Sequence, residues 1–175
     1  MTAAAENVQV TVARVNGWDQ ISKYAVDITR RRGGRTIVAP LISKTEQAHL
    51  RDDCAEAGLN LIKGPLRPHG DGIHTALTRA EWGIAETGTV VLRSDSEELR
   101  IATMLAEIHI VILAEEAIKP DLSAVEAELQ AILNADVPSY TAFITGASRT
   151  ADIERVLAVG VHGPQEMHLL INGMN

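Results

Sequence analysis

Cysteine is almost missing: the 175-residue chain has one, Cys54. A disulfide within the chain is excluded, and so is a cysteine-ligated zinc or iron–sulfur site. Aromatic residues make up only 3%. The core must therefore be built from Val, Ile, Leu and Ala, which suits strands buried on both faces beneath helices. Long hydrophobic runs are absent too. The longest, Ile110 to Ala114, is far too short to span a membrane. The first residues, MTAAAENVQV, lack the charged-then-apolar order of a signal peptide, and a cytoplasmic location is expected. Positive charge is scarce: the net charge of −7 argues against the basic groove of a nucleic-acid binder. One basic run exists, Arg30-Arg31-Arg32 with Arg35 beyond. Followed by Gly33-Gly34 it reads as a helix C-terminus, a phosphate patch being the lesser alternative.

Chemical signatures are missing as well. There is no GxGxxG, no GxxxxGK[ST], no nucleophile elbow and no Ser-x-x-Lys. Six histidines are present, but none has the spacing of a zinc site, and no metal is expected. Cys54 falls in a helical pattern with Leu50 and Ala57 and is expected to be a small core residue.

What remains is a rhythm of short elements. Val8, Val10 and Val12 alternate with polar or small residues and predict a strand from Val8. Ile21, Tyr24, Ala25 and Ile28 share one helical face. A strand is expected at Thr36 to Ala39, a helix from Ser43 to Ala57 closed by Gly58, and a strand at Leu59 to Ile62. Residues 63 to 72 hold three glycines and two prolines, and are expected to be irregular. Trp82 to Ala85 and Thr89 to Leu92 read as a hairpin. A helix over Glu97 to Met104 and a central strand at Ile108 to Leu113 follow. Leu122, Val125, Leu129 and Ile132 form a helical stripe with Ser123 and Glu126 as its capping box. The pattern ends with a strand at Thr141 to Thr145, a helix from about Thr150 and a strand at Met167 to Ile171. With 46% hydrophobic residues, this predicts one α/β domain over 1–175, a mostly parallel sheet with helices on both faces.

In such sheets ligands bind where strands run into loops. Two stretches have the right composition. In the first, Gly146 turns the backbone after a strand, Ser148 or Thr150 caps the expected helix, Asp152 sits in its first turn, and Arg149 offers a charged fork to an anion. His162, beside Gly163, is a candidate hydrogen-bonding or acid–base group near that loop. In the second, Glu86, Thr87, Gly88 and Thr89 place two hydroxyls and a carboxylate around a glycine that admits close approach of a ligand or another backbone. Glu86 in a pocket would serve as base or nucleophile; on a solvent-facing hairpin it would serve neither. In a purely structural reading, the same residues cap helices and form turns.

Taken in order, "IAETGTVVL" (84–92), "HIVIL" (109–113), "ITGASRTADIE" (144–154) and "GVHGPQEMHLLI" (160–171) resemble the lactate-utilisation, or LUD-domain, family, in its LutC/YkgG-like subunit type. The resemblance covers about Thr78 to Ile171; the first 75 residues share only the strand–helix rhythm. Where the family has proline between the glycine and serine of the third stretch, this chain has Ala147. The resemblance implies a Rossmann-like fold similar to the NagB/RpiA/CoA-transferase-like superfamily. It also implies a role beside iron–sulfur subunits in a complex that oxidises L-lactate to pyruvate. This chain would be the cluster-free subunit, binding a small anionic ligand and no cofactor of its own, with homo-oligomers open. Thr87, Thr89, Ser148 and the Gly146 backbone would hold the anion and Arg149 would neutralise it. The alternative is a free-standing CoA-transferase- or phosphosugar-type enzyme using Glu86.

Overall fold

The computed structural model describes residues 1–134, 140–150, 158–159 and 163–173. The chain opens with helix α1 (Thr2–Asn7), strand β1 (Thr11–Val15), helix α2 (Trp18–Arg31), strand β2 (Thr36–Val38), helix α3 (Lys44–Glu56) and strand β3 (Asn60–Ile62). A 3₁₀ turn (Arg67–Gly72) leads to β4 (Thr75–Arg79), β5 (Trp82–Ile84), β6 (Thr89–Arg93), α4 (Glu97–Leu105), β7 (Ile108–Ala114) and the short β8 (Ile118–Lys119). Helix α5 (Glu126–Leu133) and strands β9 (Thr141–Ile144), β10 (Arg149–Thr150), β11 (Ala158–Val159) and β12 (Glu166–Asn172) complete it.

Among the described residues, six strands form one sheet in the order β1-β12-β7-β4-β2-β3, every neighbour parallel. Strand β7 lies within it and is apolar on both sides. Ile108, Ile110 and Ile112 pack with Ile21 and Ala25 of α2 and with Leu50 and Cys54 of α3. Val111 and Leu113 face the other way, onto Ala5 of α1, Leu99 of α4 and Val90 and Leu92 of β6. Helices therefore cover both faces, and that double burial is why the strand reads as a continuous apolar run. A second, four-stranded sheet in the order β8-β5-β6-β9 lies over the α1 and α4 face, with β5–β6 and β6–β9 antiparallel.

Local chemistry sets the helix ends. The Ser43 hydroxyl accepts from the Glu46 amide (3.2 Å) while the Glu46 carboxylate accepts from the Ser43 amide (2.9 Å), a complete capping box for α3. At the end of α2, Gly33 N–H bonds the Arg30 carbonyl and Gly34 N–H the Thr29 carbonyl, leaving the arginine run at the negative end of the dipole.

Four expectations need correction, and one strand, β4, went unforeseen. The strand expected from Val8 begins at Thr11. The alanine-rich stretch before it forms α1, and Val8 and Val10 both bond back to the Ala5 carbonyl to close that helix. The segment 63 to 72 contains a 3₁₀ turn, with Pro68 at its start where a missing N–H costs nothing. Strand β4 carries no alternation because it is internal. Its threonines are buried, and their hydroxyls find Thr29 and His109. Ser123 does not cap α5, which starts at Glu126 after a 3₁₀ turn; the Asp121 carboxylate takes the Ala124 N–H instead (3.0 Å). Thr150 starts no helix. Arg149 and Thr150 are extended and pair antiparallel with Val159 and Ala158.

Candidate functional site

The two motif stretches meet at one end of the second sheet. Strand β6 starts where β9 ends, and a chain of hydroxyls runs from Thr87 to Thr89 (2.7 Å) and from Thr89 to Thr145 (2.7 Å), next to Gly146. Helix α1 seals this end. Gly88, at φ +70°, lies so close to it that a Cβ would sit 2.4 Å from the Ala5 nitrogen. Gly146, at φ +80°, lies against the Val8 carbonyl, 2.7 Å from where its Cβ would be. That same carbonyl accepts a 2.6 Å bond from Arg149 Nη2. The approach foreseen at Gly88 is thus made by another backbone, and Arg149 ties down the end of α1.

Glu86 is exposed on the hairpin turn, its amide donating to the Pro120 carbonyl (3.0 Å). Thr87 is exposed beside it, and neither forms part of the cleft described next. Thr150 takes part through its backbone in the β10–β11 pair. Asp152 and His162 lie outside the described residues.

The other side of the Gly146 loop opens on a cleft of about 300 Å³ between the two sheets. Gly146, Ala147, Ser148, Gly163 and Pro164 form one wall. The Ser148 amide donates to the Pro164 carbonyl (2.9 Å), joining the two halves of the motif. A Cβ on Gly163 would stand 3.1 Å from that of Ser148. The motif residues Gly146, Ser148 and Gly163 are therefore brought together, although not with Glu86.

The same cleft is lined by residues that sequence reasoning missed: Ser94, Arg100, Thr103, Met104 and His109. Arg100 Nη1 donates to the Ser94 carbonyl (2.6 Å), which uses one of the five N–H groups of its fork. The signal for three of them was present in α4. Arg100, Thr103 and Met104 follow the i, i+3, i+4 spacing of one helix face, while Leu99 and Ala102 bury another. His109 was harder to find, because it occupies a core position on β7 in phase with Val111 and Leu113.

His109 is 1% exposed, and its Nε2 lies 2.8 Å from the Thr78 hydroxyl. Burial pushes its pKa down to about 4. It is neutral at physiological pH and adds no charge to the cleft. Arg100 is thus the one cationic side chain among the described wall residues. On the opposite face of the main sheet, His168 Nδ1 meets the Tyr24 hydroxyl (2.9 Å); burial lowers its pKa against the pull of Glu166. Cys54 is buried in the core, and burial raises its thiol to about 11, so it is a packing residue without thiolate reactivity. Among the described residues, no three His, Cys, Asp or Glu side chains could hold a metal ion, and no helix is long and apolar enough to cross a membrane.

The position of Arg149 leads to a test. Arg149→Met is expected to cost about 1 kcal/mol in urea unfolding, through the lost bond to Val8. Affinity at the cleft is expected to stay within twofold. A large loss of affinity with unchanged stability would instead make Arg149 a ligand-binding residue.

Residues 1–171 match the LUD domain family. Lactate utilization protein C of Halalkalibacterium halodurans is 41% identical over 90 residues, which are 50% of this chain and 39% of that protein. The corresponding protein of Geobacillus sp. is 33% identical over 105 residues, 59% of this chain and 44% of that one. The uncharacterized protein YkgG of Escherichia coli is 28% identical over 174 residues, 95% of this chain and 75% of that protein. The matched segment thus spans less than half of both lactate utilization proteins. A crystal structure of a DUF162 family protein from Deinococcus radiodurans superposes with a TM-score of 0.58 at 17% identity, covering 98% of this chain and 93% of that one. The α/β fold is shared with it.

Proposed function

The chain belongs to the LUD domain family, and on that premise we propose that it serves lactate utilisation as a non-redox subunit that binds a small anion in the cleft between its two sheets. Iron–sulfur clusters would reside in cysteine-rich partner subunits, since a single buried cysteine cannot ligate one. The assembly would work in the cytoplasm. The observation that carries the reading is Arg100, a guanidinium anchored to the Ser94 carbonyl in a cleft that the Gly146–Ser148 loop also lines. An Arg fork recognises a carboxylate through two parallel hydrogen bonds, and such charge-assisted bonds are the strong ones. The Ser94 and Ser148 hydroxyls supply neutral partners in the same walls.

The test is affinity capture of the tagged chain from its own cells, followed by an assay of lactate-dependent dye reduction on the eluate. Co-recovery of cysteine-rich iron–sulfur proteins with that activity is expected. Arg100→Met is expected to recover the same partners with activity lowered at least tenfold, the effect of losing one charge-assisted contact of roughly 1.5–3 kcal/mol. Recovery of the chain alone, without activity, would overturn the subunit reading.

A further inference from the structure

We propose that the ligand of this cleft is a singly charged carboxylate carrying an apolar body larger than that of lactate. The proposal rests on the reading that the cleft is the ligand site, and it names the class of molecule.

Size gives the first argument. Lactate has six non-hydrogen atoms. Allowing each the volume share of a liquid water, roughly 30 Å³, gives roughly 180 Å³. The cleft offers about 300 Å³, so lactate would leave much of it unfilled. The walls give the second. Met104, Ile144, Ala147, Pro164 and Met167 present carbon and thioether surface. Two unbranched methionines adapt to varied apolar shapes. A sugar's hydroxyls would find partners at Ser94, Thr103, Tyr140 and Ser148 but none along this carbon and thioether surface, where each unpaired one is costly. Charge gives the third. One guanidinium balances one negative charge, and the buried His109 adds none, so a phosphate dianion would be half compensated. The polar corner at Arg100 and Ser94 would take the carboxylate, and the apolar surface would take the body.

The experiment is calorimetric titration of the full chain with straight-chain carboxylates from acetate to octanoate, with L-lactate and inorganic phosphate alongside. Affinity is expected to rise about fourfold per added methylene until the cleft is filled, with one molecule bound per chain. Arg100→Met is expected to weaken octanoate at least tenfold. Met104, exposed at the end of α4, can be exchanged without opening the core; Met104→Gln is expected to flatten the length dependence. Thermal melts of both variants report that they fold. Affinity independent of chain length, or lactate or phosphate binding more tightly than octanoate, would overturn the apolar body. If those smaller anions still required Arg100, the cleft would remain the ligand site. Failure of every probe to bind would overturn both.

Discussion

Gly88→Ala is expected to destabilise the protein by about 3 kcal/mol, enough to lower its melting temperature by roughly 10 °C. Two costs add. The residue has φ +70°, a conformation that costs an L side chain roughly 1–2 kcal/mol. The new Cβ would also lie 2.4 Å from the Ala5 nitrogen, 2.6 Å from the Ala4 carbonyl carbon and 2.7 Å from the Ala5 Cα. All three are backbone atoms of α1, so no side-chain rotation relieves the clash, and the helix must move. Gly64 supplies the control. It has φ +82° and open space where a Cβ would go, so Gly64→Ala carries the conformational cost alone. Urea unfolding of the two variants separates strain from contact. Equal losses in both would show that α1 yields freely and that the close approach at Gly88 is incidental.

The second large effect depends on pH. The His109 pKa is held down to about 4 by burial, against 6.5 for the free side chain. Between those values the unfolded chain takes up a proton that the folded chain refuses. Unfolding is therefore favoured as the pH falls. Above pH 6.5 the neutral ring costs nothing in this respect. Descending to pH 4, its contribution to stability falls by about 3 kcal/mol. His168, also lowered by burial, acts in the same direction. His109→Gln keeps a polar group within reach of Thr78 and removes the titration. Wild type is expected to lose about 3 kcal/mol more than this variant between pH 7 and pH 4. Parallel pH profiles for the two proteins would mean that His109 accepts its proton without unfolding.

Most of the fold was legible in the sequence because it rests on local rules. The α2 stripe, the Ser43–Glu46 box and the β-branched run at Ile108 to Leu113 each carry a signal within a few residues. What escaped depends on distant partners. Strand β4 looks like nothing in particular until Thr75 and Thr78 are given their partners, Thr29 and His109. The extended pair at Arg149 and Thr150 follows from Val159 and Ala158, and Arg149 reaches back 141 positions to Val8. The site was read by halves for the same reason. The Gly146, Ser148 and Gly163 wall shows itself through turn chemistry. The α4 part of the lining is an ordinary helix surface, and the cleft's histidine looks like one more core position. Glycine at 88 was legible as a place of close approach, but only the packing of α1 says what approaches.

The pairing of β1 with β12 sets Thr11 against His168 and Val15 against Asn172. On the ribosome this edge of the parallel sheet has no neighbour until β12, more than 150 positions later, has emerged. Contacts so far apart in sequence are slow to close. The first strand, and α1 ahead of it, must wait as nascent chain while β2, β3, β4 and β7 assemble. In the meantime one edge of β7 stays unpaired and open to aggregation. Docking of β12 between β7 and β1 ends that exposure on both sides at once. Strand β12 is therefore the one that completes the sheet, and a nascent chain stalled before it is a natural client for chaperones.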